Sequence, residues 1–379
     1  MKQVSHVLYT DLISPLGFSI EENFDKLCKG ISGLQPNDHP LFKRKTYTSV
    51  IDEVSINDRF YLLGQIDKYS KLEKLSILLI DKLLKETNIN PKNPKTLLIY
   101  STTKGNIDLT ETTHSKIPSK RVLLSEFKNV IKSYFEFTNS PILISNACIS
   151  GSQAIIFADN LLKINLYEYI IIVGGDVVSN FTLSGFHALN ALSQKSCRPF
   201  DNERDGINIG ECCTTIVLTS KNQNNSAKLI AGSSTVDAHH IVAPSREGRG
   251  LTNAIKNCLQ QCDYTNIDFI STHGTATKYN DEMEVLSINN NDLQKVPIYS
   301  LKGYYGHTLG AAGILESVIS LKSLKEQILI PSIGYETCGI PYEANVITKL
   351  EKKKLSSFLK TASGFGGVNA ALIFEQNLI

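Results

Sequence analysis

The chain lacks any apolar run of membrane-spanning length, so no spanning helix is expected. It also lacks a charge excess: 39 Lys and Arg against 37 Asp and Glu leave a formal net charge of +2. That balance is too small to argue for nucleic acid or a membrane as the main partner. Cysteine is sparse, 8 in 379 residues, too few for a dense disulfide framework. The opening MKQVSHVLYTDLISPLG is interrupted by Asp11 and Pro15 and has no apolar core of the signal-peptide kind. Reduced thiols in the cytoplasm are therefore expected. Cys212 and Cys213 are adjacent and would face opposite sides of a strand, and Cys258 and Cys262 share a helical pattern without a matching histidine pair. Metal is not expected. Residue-level repeats and low-complexity sequence are missing too.

What remains is an ordinary globular composition, 42% apolar and 20% charged, in a chain long enough to bury a large core. Short apolar segments alternate with helical patterns. TLLIYST (96–102), PILISNA (141–147) and YIIIVGGD (169–176) read as buried strands, and GSQAIIFADNLLK between the last two reads as a helix. The polar stretch SKNQNNS (220–226) reads as a linker. A similar series follows it: strands AKLIAGSSTV, IDFISTHG, VPIYSLKG and AALIFE, and helices GLTNAIKNCLQQC and AAGILESVISLKSL. The fold class is α/β, with strands covered by helices on both faces.

Cys148, in ISNACISGSQAI, stands at a strand-to-helix corner. A buried core cysteine is the plain explanation. The small and polar residues after it offer another, in which backbone N–H groups at a helix N-terminus favour the thiolate and hold an oxyanion. His273 in STHGTATKYND and His307 in KGYYGHTLGAAG each lie in a glycine-bounded turn after an apolar strand. Strand C-terminal ends gather around the site in such folds. GFGGVN (364–369) reads as a tight hairpin, and Lys302 and Glu316, 14 residues apart, can pair only through tertiary structure.

These segments together resemble the β-ketoacyl-acyl carrier protein synthases of the elongating, Cys-His-His kind, nearly end to end. The resemblance runs in order through ISPLGFSIEENFDKLCKGISGL, NACISGSQAI, CRPFDNERDGINIGE (197–211), DAHHIVAPSREGRGLTNAI, HGTATKYNDEMEV, KGYYGHTLGAAGILE and GFGGVNAALIF. It implies a thiolase-type fold of two pseudo-twofold-related halves, residues 1–225 carrying the nucleophile and residues 226–379 carrying both histidines. Each half would hold a mixed five-stranded sheet layered between helices.

It also implies roles. Cys148 would carry the acyl primer, and the backbone N–H groups of Cys148 and Phe365 would form the oxyanion hole, with the Phe365 ring as acyl gate. Neutral His273 and His307 would stabilise the enolate formed when the malonyl extender loses carbon dioxide. Lys302 and Glu316 match the family's paired lysine and carboxylate, and Thr275 and Thr277 the threonines that hydrogen-bond the phosphopantetheine arm. No bound cofactor or metal is implied; acyl and malonyl thioesters arrive on acyl carrier protein, in fatty-acid or type II polyketide or aryl polyene synthesis. A homodimer is expected, or a heterodimer with a related ketosynthase subunit.

Thiolases use a second catalytic cysteine and initiating synthases use histidine plus asparagine, so the two histidine motifs favour decarboxylating elongation. The alternatives are a non-catalytic, pocket-shaping subunit and a cysteine hydrolase. Ser363, where a phenylalanine is usual, and Tyr304 and Tyr305 before His307 depart from the family pattern and suggest an altered pocket. Lys68, Lys71 and Lys74 are either a docking patch for an acidic carrier protein or a solvated helix face.

Overall fold

The computed structural model describes residues 4–37, 45–111, 116–223, 226–262 and 266–376. Residues 224 and 225 of the expected linker lie outside them. The first half contributes β1 (Ser5–Ile13), β2 (Thr96–Ser101), β3 (Ile142–Ile144), β4 (Tyr169–Asp176) and β5 (Cys212–Thr219). The second contributes β6 (Lys228–Val236), β7 (Phe269–Ser271), β8 (Pro297–Tyr299), β9 (Ser357–Gly364) and β10 (Val368–Glu375). From the middle outward the first half runs β1-β5-β4-β2-β3 and the second β6-β10-β9-β7-β8. In both, the two inner pairings are antiparallel and the two outer ones parallel. One plan is therefore used twice.

The two five-stranded sheets, one in each half as expected, are joined at their inner edges. β1 and β6 pair antiparallel at Ser5–Leu229 and His6–Lys228, and the short strand Asn345–Val346 extends the far edge beyond β8. The result is one continuous 11-stranded sheet.

Strand side chains alternate between faces. Leu97, Ile99, Ile170 and Ile172 face a central cluster, whereas Leu98, Tyr100, Ile171 and Val173 face an outer one. The labelled helices are α1 (Lys71–Thr87), α2 (Leu124–Phe135), α3 (Ser150–Lys163), α4 (Asn180–Ala188), α5 (Arg249–Gln261), α6 (Lys278–Asn289) and α7 (Ala312–Glu326). Apolar residues of α3 and α7 fill the central cluster, α1 and α2 cover the first outer face, and α5 and α6 the second. The layers therefore run helix, sheet, helix, sheet, helix.

The two central helices meet at glycines. A Cβ on Gly313 would lie 2.4 Å from the Ser152 nitrogen, and one on Gly151 would lie 2.9 Å from the Ile314 nitrogen. This contact draws the N-termini of α3 and α7 together, and with them the turns that carry Cys148 and His307.

The α1 lysines proposed for docking serve the interior instead. Lys71 pairs with Glu211 at 2.6 Å, and buried Lys74 reaches Asn57 at 2.7 Å. Only Lys68 of the three is exposed.

Gly313→Ala is expected to lose about 1–3 kcal/mol, because over-packed cores relax incompletely, read as a lower thermal midpoint. Gly185→Ala in α4, where a Cβ meets nothing within 4 Å, is expected to leave the midpoint unchanged or raise it.

Candidate active site

Cys148 lies in the turn from β3 into α3. Ala147, just before it, sits in the left-handed region at φ 45, a conformation that costs about 1–2 kcal/mol for a residue with a Cβ. Ser150 stabilises the turn: its Oγ donates to the Ala147 carbonyl at 2.6 Å and accepts from the Asn146 N–H at 2.8 Å. The Cys148 side chain is thereby presented at the sheet edge with 8% of its surface exposed.

His273 follows β7. Its N–H and that of Gly274 both donate to Glu284 at 2.7 Å, and the Thr275 N–H donates to Asp281 at 2.9 Å. Asp281 and Glu284 stand one turn apart on α6 and are fully buried. His307 is held differently. Its N–H donates to the Asn208 carbonyl at 2.7 Å, and its carbonyl accepts from Gly210 at 3.1 Å. Gly210 is required there, since a Cβ would fall 1.8 Å from the Tyr305 oxygen. That contact explains the second glycine in CRPFDNERDGINIGE.

The three side chains converge. The Cys148 sulfur and ring nitrogens of His273 and His307 lie within 4.8 Å of one another. The two rings meet edge to face with centroids 5.2 Å apart. Neither ring nitrogen of His307 has a hydrogen-bond partner among the described residues. All three line a cavity of ≈ 520 Å³, together with Thr275, Thr277 and Phe365. Three such donors suit a soft divalent cation, but the ammonium groups around them oppose one. Lys302 Nζ donates to Glu316 at 2.6 Å and to the His273 carbonyl at 2.5 Å, and stands 3.4 Å from His273 Nδ1.

The closing hairpin also reaches the site. Gly366 and Gly367, at φ 89 and 71, let β9 turn tightly into β10. A Cβ on Gly364 would lie 3.1 Å from the Cys148 nitrogen, so the hairpin abuts the nucleophile turn. The Phe365 backbone N–H is near enough to Cys148 to favour its thiolate. Its ring is 38% exposed and rests against Phe186 with centroids 5.8 Å apart.

Burial dominates the Cys148 thiol: it pushes it up to about 11 against the pull of Lys104 and then Lys302, with Asp176 adding to the rise. The resting sulfur is therefore protonated at neutral pH. Tyr304 and Tyr305 do not shape the cavity; they are buried in the central cluster, while Ser363 does line the cavity and donates to Asn369 at 2.8 Å. The expected neutrality of both histidines agrees with their surroundings: burial, then the Lys302 charge, lowers each well below the usual imidazole value.

Sequence reasoning missed Glu284, Asp281, Asp176, Lys104 and Lys360. Acidic residues at i and i+3 directly after HGTATK were the available signal for Asp281 and Glu284. Asp176 closes the strand YIIIVGGD and accepts from Thr102, the Thr103 N–H and the Gly310 N–H at 2.8, 2.9 and 2.7 Å. Alkylation of Cys148 by iodoacetamide should climb with pH toward about 11. Lys104→Met removes a cation that favours the thiolate, so its titration moves to higher pH, and alkylation at pH 9 should slow about threefold for half a unit.

Comparison with known proteins matches these features. The profile described as "Beta-ketoacyl synthase, N-terminal domain" matches residues 11–224, and "Beta-ketoacyl synthase, C-terminal domain" matches residues 227–336. A putative mitochondrial 3-oxoacyl-[acyl-carrier-protein] synthase of Schizosaccharomyces pombe is 27% identical, over 97% of each chain. 3-oxoacyl-[acyl-carrier-protein] synthase 1 of Haemophilus influenzae is 31% identical over 62% of this chain and 61% of its own. Among solved structures, a chain of the complex of the ketosynthase ApeO with its chain length factor ApeC from Xenorhabdus doucetiae superposes with a TM-score of 0.88. It is 24% identical and the match covers 99% and 98% of the two chains. A β-ketoacyl synthase from Burkholderia phymatum has a TM-score of 0.85 at 19% identity, over 100% of both chains. The thiolase-type fold is thus shared, and the chain belongs to the β-ketoacyl synthase family.

Proposed function

We propose that the protein condenses an acyl primer with a malonyl extender, each delivered on the phosphopantetheine of acyl carrier protein, with loss of carbon dioxide. The observation that carries this reading is the convergence of the Cys148 sulfur with two neutral, buried imidazoles at the base of one cavity.

In the first half-reaction the Cys148 sulfur forms a bond to the primer's thioester carbon and passes its proton to His307, whose ring nitrogens are unpartnered among the described residues. The tetrahedral oxyanion is held by the backbone N–H groups of Cys148 and Phe365. It collapses by breaking the bond to the phosphopantetheine sulfur, which leaves with the proton from His307. In the second half-reaction the malonyl C–C bond breaks and its electron pair becomes an enolate. The enolate oxygen takes hydrogen bonds from Nε2–H of His273 and of His307. The enolate carbon forms the new C–C bond to the acyl carbon, the bond from that carbon to Cys148 sulfur breaks, and the thiolate takes a proton from solvent water, as its high pKa favours. Thr275 and Thr277, whose hydroxyls are 2.7 Å apart, hydrogen-bond the phosphopantetheine arm. The Phe365 ring closes over the acyl group.

On this reading residues 1–225 form the nucleophile half and residues 226–379 the histidine half. Among the described residues β3 pairs with β2 alone and so leaves an open sheet edge, which a second copy, or a related ketosynthase subunit, would cover in a dimer. Cys148, Cys197, Cys212, Cys213 and Cys258 are buried free thiols, and a reducing compartment, the cytoplasm, is the location proposed.

Cys148→Ala is expected to abolish acyl transfer to the protein, seen as loss of the mass adduct. His273→Ala and His307→Ala should keep some acylation but lower malonyl decarboxylation by about 10²-fold or more. An acyl adduct on the Cys148→Ala protein would contradict the assignment.

A further inference from the structure

Lys360 lies in the middle of β9 and is fully buried. Nothing in the reaction as derived above uses it. Taking an ammonium out of water costs several kcal/mol unless it is paired, so its partners show what it is for. Its Nζ stands 2.8 Å from Glu316 Oε2 and donates to the Ser271 carbonyl at 3.2 Å and to the Thr361 carbonyl. Glu316 therefore bridges two buried lysines, Oε1 to Lys302 and Oε2 to Lys360.

Oε1 is hydrogen-bonded to Lys302 and Oε2 is in ion contact with Lys360, without a further hydrogen bond among the described residues, so the second lysine holds the carboxylate toward Lys302. That fixes where the remaining Lys302 hydrogens point: one at the His273 carbonyl, and one toward His273 Nδ1 at 3.4 Å. An ammonium only donates, so Nδ1 must be the acceptor and the single ring proton must sit on Nε2. That is the tautomer that offers an N–H to the cavity. The residue after Lys360 completes the grip from the other side, since Thr361 Oγ1 donates to Glu284 at 2.6 Å and Glu284 accepts the His273 N–H.

We propose that Lys360 is a positioning residue: by fixing Glu316 it seats Lys302 on His273 and holds that imidazole neutral, with its proton on Nε2. The inference rests on the condensing role given to His273 above. The groups around His273 are the ammoniums of Lys302 and Lys360, the His307 ring, and the carboxylates of Glu284 and Glu316; after burial, Lys302, His307 and Lys360 are what oppose its protonation. Removing one of them should let it protonate at higher pH.

Lys360→Met tests this. Acyl transfer to Cys148 should stay close to the wild-type rate. Malonyl decarboxylation should fall about tenfold or more, and the acid limb of its pH profile should move up by about half a unit or more. Decarboxylation within twofold of wild type, with an unmoved acid limb, overturns the proposal. Because the variant buries a methionine among polar groups and could fail to fold, a second measurement uses the unaltered protein. ¹⁵N chemical shifts of histidine-labelled enzyme, assigned by loss of one set in His273→Gln, should show His273 protonated on Nε2 alone at neutral pH. A proton on Nδ1 overturns the proposal without any Lys360 variant. If Cys148 never carries an acyl group in the wild type, the condensing reading fails, and the tautomer measurement still decides the part played by Lys360.

Discussion

The site exists because two helices can touch backbone to backbone. Gly151 on α3 and Gly313 on α7 leave no room for a Cβ, so the N-terminal turns of the central helices approach as closely as main chains allow. Cys148 precedes one helix and His307 the other, and each turn also hangs from the outermost long-range strand of its half, β3 or β8. The duplicated strand order brings these edges to equivalent places, and the glycine contact closes the distance between them. His273 joins from β7, the strand beside β8.

Around that meeting point charge is balanced by buried side chains. His273, Lys302, Glu316 and Lys360 are all nearly inaccessible. The lysines are paired through one carboxylate, and their field holds both imidazoles neutral. The same burial that keeps the histidines uncharged also keeps the thiol protonated. One low-dielectric environment thus sets all three protonation states, and each suits its step: a thiol that returns readily to its resting form, and two neutral N–H donors for an enolate.

Much of this was legible in the sequence, for reasons particular to each residue. β2 and β4 announce themselves as β-branched and aliphatic runs, and Cys148, His273 and His307 stand in glycine-bounded turns at strand ends. Lys360 was not legible, because a lysine in SFLKTAS looks like the polar face of an edge strand when its carboxylate partner is 44 residues away on α7. Lys71 and Lys74 misled in the opposite sense: spaced for a solvated helix face, they turn inward to Glu211 and to Asn57. Tyr304 and Tyr305 are near His307 in sequence yet pack away from the cavity, since the turn at Gly306, φ 69, redirects the chain between them and the imidazole. The joining of the two sheets rests on two residue pairs, too few to leave a pattern.

The central claim is that Cys148 carries an acyl group which a malonyl-derived enolate then removes. Intact-mass spectrometry of the wild-type protein, first with acyl-acyl carrier protein and then with malonyl-acyl carrier protein, follows both events in one sample. The account predicts an acyl adduct confined to Cys148 that disappears only when malonyl thioester is added, with one carbon dioxide and one β-ketoacyl product for each adduct lost. An adduct on another residue, or one discharged by water as fast as by malonyl thioester, would contradict it.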